Sequence, residues 1–84
     1  MVSRTEVEER VSQVLQMSLE LSPDKVQPEK DIVDDLGADS LELVEIAMKL
    51  EEVFDIKVPD AEAQEMETVE DVVTLVMKKL DISE

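Results

Sequence analysis

Three stretches of this sequence each begin with a helix-capping motif and continue with apolar residues three or four positions apart. Apolar residues at this spacing line up on one side of an α-helix, where they can pack against a core. We therefore predict a helix over residues 3–19, a second over 39–54, and a last one that begins at residue 68 and runs to about residue 80.

The capping motifs share one spacing, with a Ser, Asp or Thr three residues before an acid. In such a capping box each side chain accepts a hydrogen bond from the backbone N–H of the other residue. The pairs are Ser3 with Glu6, Asp39 with Glu42, and Thr68 with Asp71. The stripes predicted to face the core are Val7, Val11, Val14, Leu15 and Ser18 in the first helix, and Val69, Val72, Val73, Val76 and Leu80 in the last.

The connection between the first two helices is long and lacks periodicity. It is interrupted by Pro23, Pro28 and Gly37, and its scattered apolar anchors are Val26, Ile32, Val33 and Leu36. We expect one helical turn near residues 23–26 and a short helix after Pro59-Asp60, whereas residues 55–58 are too few and too isolated for a sheet.

These elements predict an all-α fold, a small four-helix bundle of three main helices and one short helix with a long first loop. We expect residues 1–84 to form a single domain, with an ordered core over about 3–80 and a frayed tail at 81–84.

The composition removes most kinds of catalytic and metal chemistry. The 84 residues include no Cys and no His, which excludes disulfides, thiol nucleophiles, imidazole bases and the usual zinc sites. A chain this short also has little room for a deep active-site cavity. We therefore expect a protein that is not an enzyme and that has no specific metal site.

The charge indicates the kind of partner. With 23 acidic and 8 basic residues, the formal net charge is −15, which repels nucleic acid and anionic lipids and favours a basic protein surface. No stretch approaches the roughly 20 apolar residues of a membrane span, and residues 1–10 lack a secretory or transit pattern. We expect a cytoplasmic monomer that binds no nucleic acid and does not insert into membranes.

The second helix differs from the others because it has two apolar faces. At about 100° per residue, one face consists of Leu43, Ala47, Leu50 and Phe54, with Ile46 on its flank. A second face, here called the outer strip, consists of Leu41, Val44 and Met48, and its acidic rim consists of Glu45, Glu51, Glu52 and Asp55. The outer strip is either covered by the loop at 32–36 or exposed as a docking surface for a basic partner with an apolar centre.

Ser40 lies in the first turn of the second helix, directly after the approach through Gly37. A hydroxyl there is beside free backbone N–H groups and the positive end of the helix dipole, which would stabilise a phosphate ester. A Ser near a helix start more often serves only as a cap or a polar surface residue. Geometry alone leaves both interpretations open.

The run DDLGADSLE at residues 34–42 resembles the prosthetic-group motif of the acyl carrier proteins of type II fatty acid synthesis, centred on Asp-Ser-Leu. Further matches lie at residues 8–11, 44–45, 50–55 and 59–60, and the resemblance runs without gaps from about residue 7 to residue 80. It implies a four-helix carrier whose Ser40 receives 4′-phosphopantetheine from coenzyme A through a phosphopantetheinyl transferase. Acyl groups would then be carried as thioesters on that arm and presented to enzymes of fatty acid or polyketide-type synthesis.

The resemblance also assigns roles by position. The motif neighbours of Ser40 are Asp39 and Leu41. The docking residues for the transferase, for acyl transferases and for ketoacyl synthases with basic patches are Leu41, Val44, Glu45, Met48 and Glu51. The residues implied to line a pocket for the acyl chain are Leu43, Ile46, Ala47, Leu50, Phe54, Ala63 and Val72.

Two positions depart from the family pattern. Glu20 stands where a Gly is expected at the end of the first helix, which leaves the geometry of the first loop open. Leu43 stands where the family commonly has a small polar residue, which would change the pocket volume and is consistent with a specialised member.

Other functions explain less of the sequence. A calcium-binding EF-hand register is matched by Asp31, Asp35, Asp39 and Glu42, but the turn position holds Leu36 instead of Gly, and Pro28 stands where a helix should precede the loop. An acidic helical inhibitor of a basic partner explains the charge without explaining residues 37–41. A hydrolase acting through Ser40 lacks a His. A peptidyl or D-alanyl carrier would share the fold and the modified Ser.

Overall fold

A computed structural model describes residues 3–81 and has four α-helices. They are α1 (Arg4–Leu19), α2 (Ser40–Phe54), α3 (Asp60–Gln64) and α4 (Val69–Lys79), with a single 3₁₀ turn at Pro23–Lys25. The predicted all-α bundle, with three main helices and one short one, is confirmed. Most of the predicted tail, residues 82–84, lies outside the described residues.

Side-chain caps begin all three main helices, as the sequence predicts. The Asp39 carboxylate accepts from the N–H of Glu42 at 2.8 Å, and the Glu42 carboxylate accepts from the N–H of Asp39 at 3.1 Å. Thr68 and Asp71 form the same reciprocal pair. At α1 the prediction is only half right. The Ser3 hydroxyl accepts from the N–H of Glu6, but the Glu6 carboxylate pairs with Arg10 at 3.4 Å, an attraction that competes with the return bond.

The end of α1 is a left-handed residue. Glu20 adopts φ 55°, the conformation that a Gly would take there, and its N–H still donates to the carbonyl of Gln16. A non-Gly residue in this region costs about 1 kcal/mol, which the surrounding hydrogen bonds offset. Although Glu20 departs from the family pattern, α1 therefore ends in the geometry that a Gly would give it.

The core lies between α1, α2 and α4, and α3 also contributes to it. Buried side chains of all four helices form one cluster, which includes Val7, Val11, Val14 and Leu15 from α1, and Val69, Val72, Val73, Val76 and Met77 from α4. The predicted stripes are thus buried except at two positions, because Ser18 and Leu80 are only half-buried. Met77 is a core residue that the predicted stripe omits.

The long first loop is tied to the segment that precedes α4. Ile32 donates to the carbonyl of Glu67 at 2.7 Å, and Val69 donates to the carbonyl of Lys30 at 3.0 Å. Ile32 and Val26 are buried as predicted anchors and Leu36 is half-buried, but Val33 is 42% exposed and is not an anchor. The loop is held by backbone pairing as well as by apolar contacts.

Within the turn at Pro23–Lys25, the Ser22 hydroxyl donates to the Asp24 carboxylate at 2.6 Å. This hydrogen bond lowers the pKa of Asp24, because it stabilises the ionised form.

The helices found within residues 3–81 do not include one with the length and apolar character of a membrane span.

Candidate functional site

The chain enters α2 through a turn at Gly37, which has φ 82°. A Cβ placed on Gly37 would meet no atom within 4 Å, so the glycine is needed for its backbone conformation and not for space. The next residue, Ala38, is buried and anchors the turn to the core. The turn therefore fixes where the first residue of α2 lies.

Ser40 is that first residue, and it is exposed. Among the residues that the structure describes, the Ser40 hydroxyl has no hydrogen-bond partner, and the N–H groups of Ser40 and Leu41 have no acceptor. Free amides at the positive end of a helix stabilise an anion. The arrangement suits a phosphate ester on the Ser40 oxygen.

The motif neighbours of Ser40 have different surroundings. Asp39 is the N-cap, so its carboxylate is engaged by the helix and fixes the start of α2. Leu41 points outward and is 66% exposed. Asp39 therefore positions the Ser40 hydroxyl, whereas Leu41 belongs to the surface around it.

A contact from α3 reaches the same place. The Gln64 side chain donates to the carbonyl oxygen of Ser40 at 3.2 Å and joins the end of α3 to the start of α2. Sequence reasoning missed Gln64, since the two residues are 24 positions apart and the 60–64 segment carries no motif that signals the pairing. The site thus draws on two helices.

The outer strip of α2 is exposed. Leu41 and Met48 are 66% and 58% exposed, and Val44 is half-buried. The loop at 32–36 therefore does not cover the strip, and a docking role for this face stays a prediction. Val53, which the sequence analysis did not include, is 38% exposed on the same helix.

The acids around the strip are largely unneutralised. Residues 39–55 contain six acidic residues and a single basic one, Lys49. The structure shows four ion pairs within residues 3–81, and none of them involves a residue of this segment. Glu45 and Glu52 are exposed, so their charge is available to a partner.

Glu51 has a structural contact that the sequence did not indicate. Its carboxylate is half-buried and accepts a hydrogen bond from the N–H of Val58 at 2.7 Å, seven residues further on. The bond fastens the segment between α2 and α3 to the side of α2. Glu51 is consequently less free to bind a partner than Glu45.

The inner face of α2 is closed. All seven residues implied to line an acyl pocket are buried in the common core, namely Leu43, Ile46, Ala47, Leu50, Phe54, Ala63 and Val72. Leu43 is 4% exposed, so its side chain occupies core volume directly below the first turn of α2. An acyl chain would have to displace these contacts in order to enter.

An open groove of about 590 Å³ lies between α3 and α4, and its lining includes Met66, Leu75 and the ion pair of Glu62 with Lys79. That pair joins the two helices at 2.7 Å. None of the seven predicted pocket residues lines this groove. The groove and the predicted pocket are therefore different places.

Two acids of the first loop accept hydrogen bonds from backbone N–H groups of the same loop. Asp31 accepts from the N–H groups of Val33 and Asp34, and Asp35 accepts from the N–H of Asp31. Over residues 3–81, no group of three or more acids is arranged to hold a metal ion. The register that suggested an EF-hand therefore corresponds to hydrogen-bonded turns.

Comparison with known proteins adds an independent line of support. Residues 6–76 match the protein family described as "Phosphopantetheine attachment site". The acyl carrier protein of Bdellovibrio bacteriovorus is 44% identical over 70 residues, which cover 83% of this chain and 90% of that protein. The acyl carrier protein of Thermosynechococcus vestitus is 39% identical over 79 residues, 94% and 98% of the two chains. That of Campylobacter hominis is 46% identical over 71 residues, 84% and 90%.

Proposed function

Because this chain belongs to the acyl carrier protein family, whose members have a phosphopantetheine attachment site, we propose that Ser40 is the residue that holds the arm. The chain is a carrier, and 4′-phosphopantetheine is its prosthetic group. The observation that supports Ser40 is its free, exposed hydroxyl beside two unpaired amides at the start of α2. The bound arm supplies a thiol, on which acyl groups are carried as thioesters.

The residues around Ser40 fit the group. Attachment would form a bond between the Ser40 oxygen and the phosphorus of the arm and break the pyrophosphate bond of coenzyme A, which would release adenosine 3′,5′-bisphosphate. The hydroxyl proton would go to a base of the transferase. The N–H groups of Ser40 and Leu41 would then stabilise the phosphate charge, and the Asp39 cap would hold the first turn in place. The sequence contains no Cys, so the thiol of the arm is the one that the loaded carrier presents.

We infer that the chain itself is not catalytic. It has no His or Cys to act as a base or a nucleophile, and its Ser40 has no neighbouring base that the structure shows. Transfer of the arm and of the acyl group therefore requires partner enzymes. The cytoplasmic location expected from the sequence remains a prediction, which fractionation of cells expressing the tagged chain would test.

The outer strip is proposed as the surface that those enzymes bind. Leu41, Val44 and Met48 supply an apolar centre, and Glu45 supplies an exposed charge at its rim. A phosphopantetheinyl transferase, acyl transferases and ketoacyl synthases with Lys and Arg around an apolar patch would complement it. Glu51 belongs to this surface through its exposed part only.

The seven buried residues of the predicted pocket are proposed as the lining of a space that opens for the acyl chain. They face inward from α2, α3 and α4, and α3 is only five residues long with no side-chain cap. A short, uncapped helix is the element of this bundle that separates most easily. Leu43 would shorten the space near Ser40, which is consistent with a specialised cargo.

The test of Ser40 is a measurement of intact mass after incubation with coenzyme A and a broad-specificity phosphopantetheinyl transferase. The parent chain should gain the mass of one arm, and Ser40→Ala should gain nothing while keeping its helical circular dichroism, because Asp39 still caps α2. Ser22→Ala removes another exposed Ser and is the matched control, which should load normally. Loading of Ser40→Ala would overturn the assignment.

A further inference from the structure

The chain has few side chains that peroxides can oxidise. It contains no Cys, Trp, Tyr or His, and five Met. Thioethers are therefore the groups of the polypeptide that react readily with hydrogen peroxide. Any oxidative modification of the folded chain under mild conditions should be found at methionine.

The methionines of the described residues fall into two classes. Met66 and Met77 are core residues, 4% and 5% exposed. Met17 on α1 and Met48 on α2 are 74% and 58% exposed. Because susceptibility follows access to the sulfur, the second class should react first.

We propose that Met48 is a peroxide-sensitive modification site that controls docking at the outer strip. This inference rests on the proposed function of that surface. In the reaction the thioether sulfur forms a bond to one peroxide oxygen and the O–O bond breaks, which gives methionine sulfoxide and one water per hydrogen peroxide. The sulfur is oxidised and the peroxide is reduced.

The surroundings of Met48 make the change consequential. Its side chain lines a shallow depression of about 320 Å³ with Glu52, Asp55, Ile56 and Lys57. Hydrogen peroxide is uncharged, so the acids there do not repel it. The sulfoxide is a strong hydrogen-bond acceptor, and burying it against an apolar patch of a partner leaves that acceptor unpaired.

Met17 provides an internal control on the same molecule. It is the more exposed of the two, yet it lies on α1 and outside the outer strip. Its oxidation should therefore accompany that of Met48 without affecting partners of α2. The comparison separates oxidation at the proposed docking surface from oxidation in general.

The experiment uses the loaded carrier, treated briefly with dilute hydrogen peroxide and then with dithiothreitol, which reduces disulfide and sulfenic forms of the arm thiol but leaves methionine sulfoxide in place. Intact mass checks that the arm carries no sulfinic or sulfonic acid. Peptide mass mapping should show Met17 and Met48 oxidised roughly tenfold faster than Met66 and Met77. The KM for acyl transfer by a partner enzyme should rise roughly fivefold for the parent and for Met17→Leu. Peroxide treatment should leave the KM of Met48→Leu at the value that this variant has before treatment, and methionine sulfoxide reductase should restore the KM of the parent.

A rise in KM for Met48→Leu equal to that of the parent would overturn the inference, and so would oxidation of Met48 no faster than that of Met66. The mass of the untreated chain reports separately on Ser40. A chain that never gains the arm contradicts the proposed function. A loaded chain whose KM is unchanged after oxidation of Met48 contradicts only this inference.

Discussion

Helices α1 and α2 have 16 and 15 residues and are both acidic, but they differ in how far their charges are paired. In α1, Glu8 pairs with Arg4 at 3.1 Å and Glu6 pairs with Arg10 at 3.4 Å, so charges are neutralised along the helix itself. Within residues 3–81, no ion pair involves α2. The charge of α2 is therefore unpaired within the described residues, whereas much of that of α1 is already paired.

The apolar residues of the two helices differ in the same way. The buried residues of α1 lie on one side, and its exposed Met17 is isolated, as single surface hydrophobes commonly are. In α2 a second set, the outer strip, is contiguous and has acids at its edge. Contiguous exposure together with unpaired charge, and not acidity alone, supports the proposed docking role of α2.

The largest expected effect is on the free energy of unfolding, and it should come from truncating buried side chains. In this respect the two helices are alike. Leu15→Ala in α1 and Leu50→Ala in α2 each remove a fully buried side chain and should lower the free energy of unfolding by about 3 kcal/mol. Leu41→Ala, on the outer strip, should change it by less than about 0.5 kcal/mol. Urea unfolding followed by circular dichroism measures all three. A large loss for Leu41→Ala would mean that the strip is not free.

A smaller effect should separate two acids of the rim. Glu51→Ala removes the acceptor of the Val58 N–H and should cost about 1.5 kcal/mol of unfolding free energy. Glu52→Ala, the exposed neighbour, should be close to neutral. Thermal unfolding of the two variants side by side tests this, and equal melting temperatures would show that the Glu51 bond contributes nothing.

The smallest expected effect is on the binding of partner enzymes. It tests whether the unpaired charge of α2 matters more for binding than the charge of α1. Glu45→Lys on α2 and Glu9→Lys on α1 change the net charge by the same amount at exposed positions. Only Glu45→Lys should raise the KM for partner enzymes, by about fivefold at low salt and less as salt is added. Steady-state transfer assays at two ionic strengths measure it. Equal rises for both variants would indicate an effect of total charge and not of a docking helix.

Much of this arrangement could be predicted from local sequence. Caps such as Asp39 with Glu42 depend on residues three positions apart, and the stripe of α4 depends on one helical period, so both are readable without a structure. The proposal that Ser40 holds the arm likewise comes from its position in a motif. The exposure of the outer strip cannot be predicted in this way, because it depends on where the loop at 32–36 lies.

The contacts that could not be predicted join distant or irregular segments. Gln64 reaches Ser40 across 24 residues, and Glu51 caps a backbone N–H in a segment without periodicity. The missing return bond at Ser3 has another cause, since Glu6 had two available partners and Arg10 was the charged one. Sequence patterns describe one helix at a time, whereas the contacts of Gln64 and Glu51 depend on how separate segments pack together.

The open space around Gly37 determines which residues could replace the glycine in the turn before α2. Since a Cβ there would touch nothing, the turn excludes most L-residues through the sign of φ and not through their bulk. A mirror-image residue such as D-alanine prefers that sign, so it would suit the position and restrict the unfolded chain as well. The way into the helix that carries Ser40 is thus governed by chirality rather than by size.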